Sequence, residues 1–361
     1  MRKIRVLVVD DSAVIRRTLP DILSADPSVT VVGAAEDGAT ALAAIPRVAP
    51  DVLILDVDMP DMNGLAVLAE VRRIHRKLPV ILVSPLTERA GARTLRALSL
   101  GAVDYVTRPI LTVAMDAAME QLAAQLLPKI QGLCRPGSVR TESARRADGD
   151  AQPRVAVTPT PAVPGPIEIL AVGASAGGPA ALTILFADLP AALPVPVAIV
   201  QHMSPLFTRL LADRLSYSCP LTFQEACDGD VLEPGHAWIA PGDRHMRLVR
   251  HGDRVRVALD HAPPENSCRP SVDILFRSVA ATYGAASLAL VMTGMGQDGL
   301  RGCEALHGRG GQIVIQDQGS SAVWGMPGAV AGAGLAQAVL PLTEIAGELL
   351  RRISRGRTSG Q

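Results

Sequence analysis

From Arg5 to about Leu127 the chain alternates short, nearly all-apolar runs with longer stretches of mixed polarity. The runs are Val6–Val9, Val29–Val32, Val52–Leu55, Val80–Val83 and Val103–Val106. Runs rich in Val, Ile and Leu with no polar face predict strands buried on both sides, as in a parallel sheet. The segments between them are long enough for crossover helices. Five such units predict an open, doubly wound α/β domain over residues 1–130. The pattern then dissolves between Cys134 and Pro166 into Pro, Gly, Ser, Thr and charge, which predicts a flexible connector, assigned to residues 131–166.

A second set of runs follows. An apolar stretch beginning at Ile167 stops at Gly173-Ala174-Ser175-Ala176-Gly177-Gly178, and a helical pattern runs from about Ala180 to Asp188. Further strands are predicted at Pro194–Val200, Ser287–Met292 and Gln312–Gln316. Helices are predicted at Leu206–Leu215, Ser271–Tyr283 and Thr343–Ile353. Leu221 to Ala262 carries repeated Gly turn signals and reads as strands and turns. The fold class is thus two doubly wound parallel-sheet domains, the second over residues 167–355.

Composition narrows the function classes. At 361 residues, two domains of about 150 residues each are expected. With 48% hydrophobic and 19% charged residues the chain can bury two cores. A formal net charge of 0 provides no field favouring nucleic acid or an anionic membrane surface. No stretch approaches the roughly 18 apolar residues of a membrane span, and the N-terminal apolar run is too short for a signal peptide. A soluble, cytoplasmic chain is expected, with a monomer as the default state. The five cysteines, an odd number without a C-x-x-C pair, predict free thiols rather than disulfides or a zinc site.

Chemistry-bearing residues collect at the predicted strand ends, where open α/β sheets bind ligands. In the first half these are Asp10-Asp11, Asp56, Ser84 and Thr107-Arg108-Pro109. Three carboxylates on one rim repel each other unless a divalent cation neutralises them, and an all-oxygen set suits Mg²⁺. A carboxylate beside Mg²⁺, a hydroxyl and a cation can accept a phosphoryl group as an aspartyl phosphate. For any one acid the structural reading is favoured, with Asp11 or Ser12 capping the first helix and Asp56 ending a strand; for the whole set it is not. The motifs VVDDS, LDVDMPDMNG, ILVS and DYVTRP, in that order, resemble a response-regulator receiver domain, whose fold is flavodoxin-like. The resemblance implies that Asp56 is the phosphoacceptor and that Asp10 and Asp11 hold the metal with it. It also implies that Ser84 contacts the phosphoryl group and that Tyr105 is the rotating aromatic. The family has lysine where this chain has Arg108, a larger planar cation and not a conservative exchange at a phosphate contact.

In the second half Ser175, His202 and Asp298 each follow a different predicted strand. A glycine-flanked serine between strand and helix is a nucleophile-elbow pattern, although such turns also bind phosphate or merely pack tightly. A serine needs a base, and the base needs a carboxylate to orient it. Taken alone, His202 reads as a capping residue and Asp298 as the N-cap of the helix after it. His236, His245 and His261 lie among turns and are not candidate bases. The order Ser…His…Asp differs from that of α/β-hydrolases, so that fold is not assigned.

VGASAGGP, VQHM, DGDVLEPGHAWIAPGDRHM, RPSVDILF, TGMGQDG and VWGMPGAV, in that order, resemble the catalytic domain of the chemotaxis-type protein-glutamate methylesterase / protein-glutamine glutaminase family. The resemblance implies a Ser175 nucleophile, a His202 base, Asp298 as its partner, and backbone oxyanion donors at Ala176 and Met295. Ala176 stands where the family often has threonine. It implies no cofactor for hydrolysis and Mg²⁺ for receiver phosphorylation. The implied partners are methylated chemoreceptor helices as substrate and a histidine kinase as phosphoryl donor. An unphosphorylated receiver that obstructs the Ser175 crevice is also implied. Arg244, Arg269 and Arg301 are read as solvated charges. Two rival classes are set aside. A DNA-binding regulator would need a basic second half or a helix-turn-helix segment, and a module without catalysis would have no use for the Ser, His and Asp set.

Overall fold

The apolar runs become central strands because only burial on both faces satisfies them. The structure, a computed structural model, describes residues 2–59, 63–108, 115–134 and 165–355. The expected connector lies almost wholly outside the described residues, as do Pro60, Asp61 and Met62 of the LDVDMPDMNG motif and Pro109. The chain divides into two compact units.

The first unit runs β1 (Ile4–Val9), α1 (Ala13–Ser24), β2 (Val29–Ala35), α2 (Gly38–Val48) and β3 (Val52–Asp56). It continues through α3 (Gly64–Ile74), β4 (Val80–Pro85), α4 (Glu88–Ser99), β5 (Asp104–Arg108) and α5 (Met115–Cys134). The five strands are parallel in the order β2-β1-β3-β4-β5. Side chains of Ser12, Asp37, Asn63 and Thr87 accept a backbone N–H at the starts of α1 to α4 and so fix where each helix begins. One face of the sheet packs Val6, Val8, Ile54 and Ile81 against Ile15 and Leu19 of α1 and Met119, Leu122 and Leu126 of α5. Helix α5 continues to Cys134, four residues past the expected domain end. Gln131 anchors this last turn by hydrogen bonds to Asp26 and Ser28.

The second unit begins with β6 (Ile169–Ala174), α6 (Gly178–Ala187), β7 (Val197–Gln201), α7 (Pro205–Ser218), β8 (Thr222–Glu225) and β9 (His236–Ile239). Next come β10 (His245–His251), β11 (Arg254–Asp260), α8 (Val272–Tyr283), β12 (Ser287–Val291) and α9 (Leu300–Gly308). The unit closes with β13 (Gln312–Gln316), α10 (Met326–Gly332), β14 (Ala338–Leu340) and α11 (Leu342–Arg355). Seven strands form a parallel sheet in the order β14-β13-β12-β6-β7-β9-β8. The strand-and-turn region splits: β8 and β9 extend that sheet, while β10 and β11 form a separate antiparallel hairpin. The short β14 and α10 were not legible in the sequence. Among the described residues no helix is long and apolar enough to cross a membrane.

Helix α8 covers the centre of the large sheet, burying Val272, Leu275, Phe276 and Val279 with Ile169, Ala171, Ala289 and Val291. Phe276 is fully buried. Phe276→Ala is expected to destabilise the second unit by about 3–5 kcal/mol through lost transfer energy and the cavity left behind. Urea denaturation followed by tryptophan fluorescence reports this unit, because both tryptophans, Trp238 and Trp324, lie in it. A loss below about 1 kcal/mol would mean that the contacts around α8 can collapse to refill the site.

Candidate active site and acidic pocket

At the carboxyl edge of the first sheet Asp10 and Asp56 are buried, and Asp10, Asp11 and Asp56 each place a carboxylate oxygen within 4.8 Å of the others. Arg108 reaches in from the end of β5. Its Nη2 lies 2.6 Å from Asp10 Oδ2 and 2.8 Å from Asp56 Oδ2. Burial raises the Asp10 carboxyl to about 6, partly offset by Arg108 and reinforced by the Asp56 charge. Burial likewise raises Asp56 against the pull of Arg108. Carboxyls held above their ordinary range by desolvation are short of positive charge, and their all-oxygen chemistry fits a hard divalent ion. Ser84 is buried, but its hydrogen bonds run to Thr94 Oγ1 (2.7 Å) and the Pro85 carbonyl (3.3 Å), not to the acids. Tyr105 is buried in β5.

In the second unit, the turns after β6, β7 and β12 bring the other predicted residues to one edge. Gly177 and Gly299, with φ of 77° and 98°, start α6 and α9 in a left-handed conformation open to glycine. The Ser175 N–H donates to the Thr293 carbonyl at 3.0 Å, and the Ser175 carbonyl accepts from Gly178 N and Gln201 Nε2. The strand-to-helix turn is thereby locked onto the neighbouring β12 loop. That loop comes close enough to Ser175 that a Cβ on Gly294 would sit 2.9 Å from the serine's Cβ. The N–H groups of Ala176 and Met295 donate to no protein acceptor among the described residues.

His202 Nε2 lies 2.8 Å from Asp298 Oδ2. Asp298 is not the N-cap of α9, as its sequence position suggests; Gly299 occupies that place. Instead its carboxylate turns to the start of α8. There it accepts from the N–H of Val272 (2.7 Å) and Asp273 (3.1 Å), from Ser271 Oγ (2.8 Å) and from Asn266 Nδ2 (3.0 Å). A helix N-terminus favours an anion. Burial alone would raise the Asp298 carboxyl. The His202 contact and the α8 N–H groups outweigh it and hold the group well below the carboxylate range. Burial opposes charge on His202, yet the bonds to Asp298 and Cys268 prevail and push the imidazole above the ordinary histidine value.

Residues 170–349 match the family model for CheB methylesterase, and residues 6–120 match that for the response regulator receiver domain. A protein-glutamate methylesterase/protein-glutamine glutaminase of Trichodesmium erythraeum is 49% identical over 98% of this chain and 100% of its own length. This chain belongs to that family. A protein of the same description from a Nocardioides species is 46% identical over 99% of this chain and 98% of its own. The crystal structure of the Thermotoga maritima CheB methylesterase catalytic domain is 38% identical, with a TM-score of 0.51 over 51% of this chain and 98% of that one.

The structure brings Ser175, His202 and Asp298 to one sheet edge. It joins His202 to Asp298 directly, while Ser175 Oγ makes no hydrogen bond among the described residues. Sequence reasoning missed Asn266, Ser271 and Asp273, although RPSVDILF carried two of them as an unexplained motif. It also missed Cys268, whose Sγ lies 3.6 Å from His202 Nδ1. Arg269 is not a solvated charge. It pairs with Asp243 and donates to the His261 and Ala262 carbonyls, tying down the loop that presents Cys268.

Proposed function

We propose that the chain hydrolyses γ-glutamyl methyl esters, and deamidates particular glutamines, on the cytoplasmic helices of chemoreceptors, under control of phosphorylation at Asp56. The observation that carries the reading is the His202–Asp298 pair seated at the α8 N-terminus beside the Ser175 turn. With Nε2 committed to Asp298, Nδ1 is the nitrogen left to act as base. Ser175 Oγ attacks the ester carbonyl while Nδ1 takes its proton, and the N–H groups of Ala176 and Met295 receive the developing oxyanion. The proton passes from Nδ1 to the departing methanol, or to ammonia when the substrate is a glutamine. A water molecule, deprotonated by the same nitrogen, then releases glutamate and free serine. The residues doing this chemistry need no cofactor.

In the receiver unit, a histidine kinase is the natural phosphoryl donor and Asp56 the acceptor. Asp10, Asp11 and Asp56 would hold Mg²⁺, which when bound supplies positive charge to the carboxylates and the transferring phosphoryl group. Arg108 already spans Asp10 and Asp56 and is placed to meet a phosphoryl oxygen. The test is methanol release from methylated receptor membranes, with and without Mg²⁺ and a small phosphoryl donor. The donor is expected to speed release by the intact chain and to have no effect on Asp56→Asn. Acceleration that survives Asp56→Asn would place the switch elsewhere. No release from any methylated receptor would overturn the hydrolase reading.

A further inference from the structure

We propose that His202 and Cys268 form a site for a soft divalent cation such as Zn²⁺, and that loading it shuts off the hydrolase. Cys268 closes a tight two-residue turn: its N–H donates to the Glu265 carbonyl and its carbonyl accepts from Glu265 N. Asn266 and Ser267, at φ of 52° and 61°, are the left-handed residues inside that turn. Two adjacent non-glycine residues in this region cost energy and persist only where the surroundings hold them. Here the holding contacts are Asn266 Nδ2 to Asp298 and Asp273, the paired Arg277–Glu265 ion pair, and Arg269 to Asp243. The turn delivers the thiol to the one imidazole nitrogen that Asp298 leaves open.

The spacing fits a metal. With Zn–N of about 2.0–2.1 Å and Zn–S of about 2.3 Å, a tetrahedral ion separates its two ligand atoms by about 3.5 Å. Nδ1 and Sγ are 3.6 Å apart. Asp298, bound to Nε2, orients the ring as carboxylates orient zinc-bound histidines elsewhere. A thiolate and an imidazole select a soft or borderline ion over Mg²⁺. Cys268 and His202 are both partly exposed, which gives the ion a route in and leaves its remaining positions to water. Binding releases the thiol proton, and any proton on Nδ1, to solvent. The inhibitory half rests on reading His202 as the base, because a metal on Nδ1 cannot share that lone pair with Ser175.

The test uses the full chain stripped of metal and titrated with Co²⁺ as a coloured stand-in for Zn²⁺. A thiolate-to-cobalt charge-transfer band that vanishes in Cys268→Ser and persists in Ser175→Ala is expected. Asp298→Asn should keep the band but weaken affinity about 10- to 100-fold. Absence of a band, its survival in Cys268→Ser, or its loss in Cys227→Ser, which removes an exposed thiol, would each overturn the site. In the methanol assay, Cys268→Ser, which removes a ligand rather than a group that orients one, should need at least about 10- to 100-fold more Zn²⁺ for half-inhibition; equal inhibition of both forms would overturn the switch. The spectroscopic arm needs no turnover, so its outcome is separable from the fate of the hydrolase reading.

Discussion

Ser175→Ala is expected to lower the turnover of methylated receptor on the order of 10⁶-fold, the loss seen when a triad nucleophile is removed. The fold should not notice. The contacts that hold this turn are made by the backbone: Ser175 N to Thr293, and its carbonyl to Gly178 and Gln201. Among the described residues its Oγ makes no hydrogen bond, and alanine keeps the Cβ that already fits against Gly294. Stability should therefore change by less than about 0.5 kcal/mol, and phosphoryl uptake at Asp56 should be untouched. Methanol release, a thermal melt and acid-stable phosphate labelling on one preparation check all three. Turnover persisting near the wild-type rate would sink the assignment and direct attention to Cys268, the group in contact with the free nitrogen of His202.

The second large effect is expected from Asp298→Asn, which should reduce kcat on the order of 10⁴-fold while the protein still binds receptor. The carboxylate does two things that asparagine cannot. In the proposed mechanism it fixes the tautomer that leaves Nδ1 to act as base, and it stabilises the imidazolium formed when Ser175 is deprotonated. Its pH signature has a definite sign. His202 in the folded enzyme sits above its ordinary value despite burial, through Asp298 and Cys268, so neutral base accumulates only as pH rises through that raised value. The wild-type kcat/KM should accordingly climb with pH beyond the usual histidine range. In Asp298→Asn the rise should move to lower pH and reach a lower plateau. A profile whose midpoint does not move would mean that Asp298 is not what raises His202.

Asp298→Asn also tests the carboxylate as a structural element, with the opposite pH sense. Its folded value is depressed, so its contribution to stability is present above the unfolded value of about 3.9 and is lost as pH falls through the folded one. Asparagine offers one acceptor oxygen to donors from Ser271, Val272, Asp273 and Asn266. A cost of about 1–3 kcal/mol at neutral pH is expected in denaturant melts, shrinking as the wild type is acidified.

How much of this was readable beforehand follows from which interactions are local. Strands β1, β3, β6, β12 and β13 announced themselves because residues buried on both faces must be apolar wherever they pair. Asp10, Asp11, Asp56, Ser175, His202 and Asp298 could be placed at strand ends because a strand end is a local event. Ser12 as the cap of α1 is equally local. The sequence by itself therefore determined two α/β units, the edge of each sheet that carries chemistry, and the residue types waiting there.

Tertiary structure decided which of those residues meet. Arg108 reaches Asp10 across 98 positions, and His202 meets Asp298 across 96 and Cys268 across 66. The order β2-β1-β3-β4-β5 sets the first encounter and β14-β13-β12-β6-β7-β9-β8 the other two, and no periodicity encodes either order. The same holds for Asp298, which local rules assign to α9 and the fold turns toward α8. A buried carboxylate takes the densest set of donors within reach, and those donors lie 25 and 26 residues upstream. Packing brought them there, because α8 had to cover the apolar centre of the sheet.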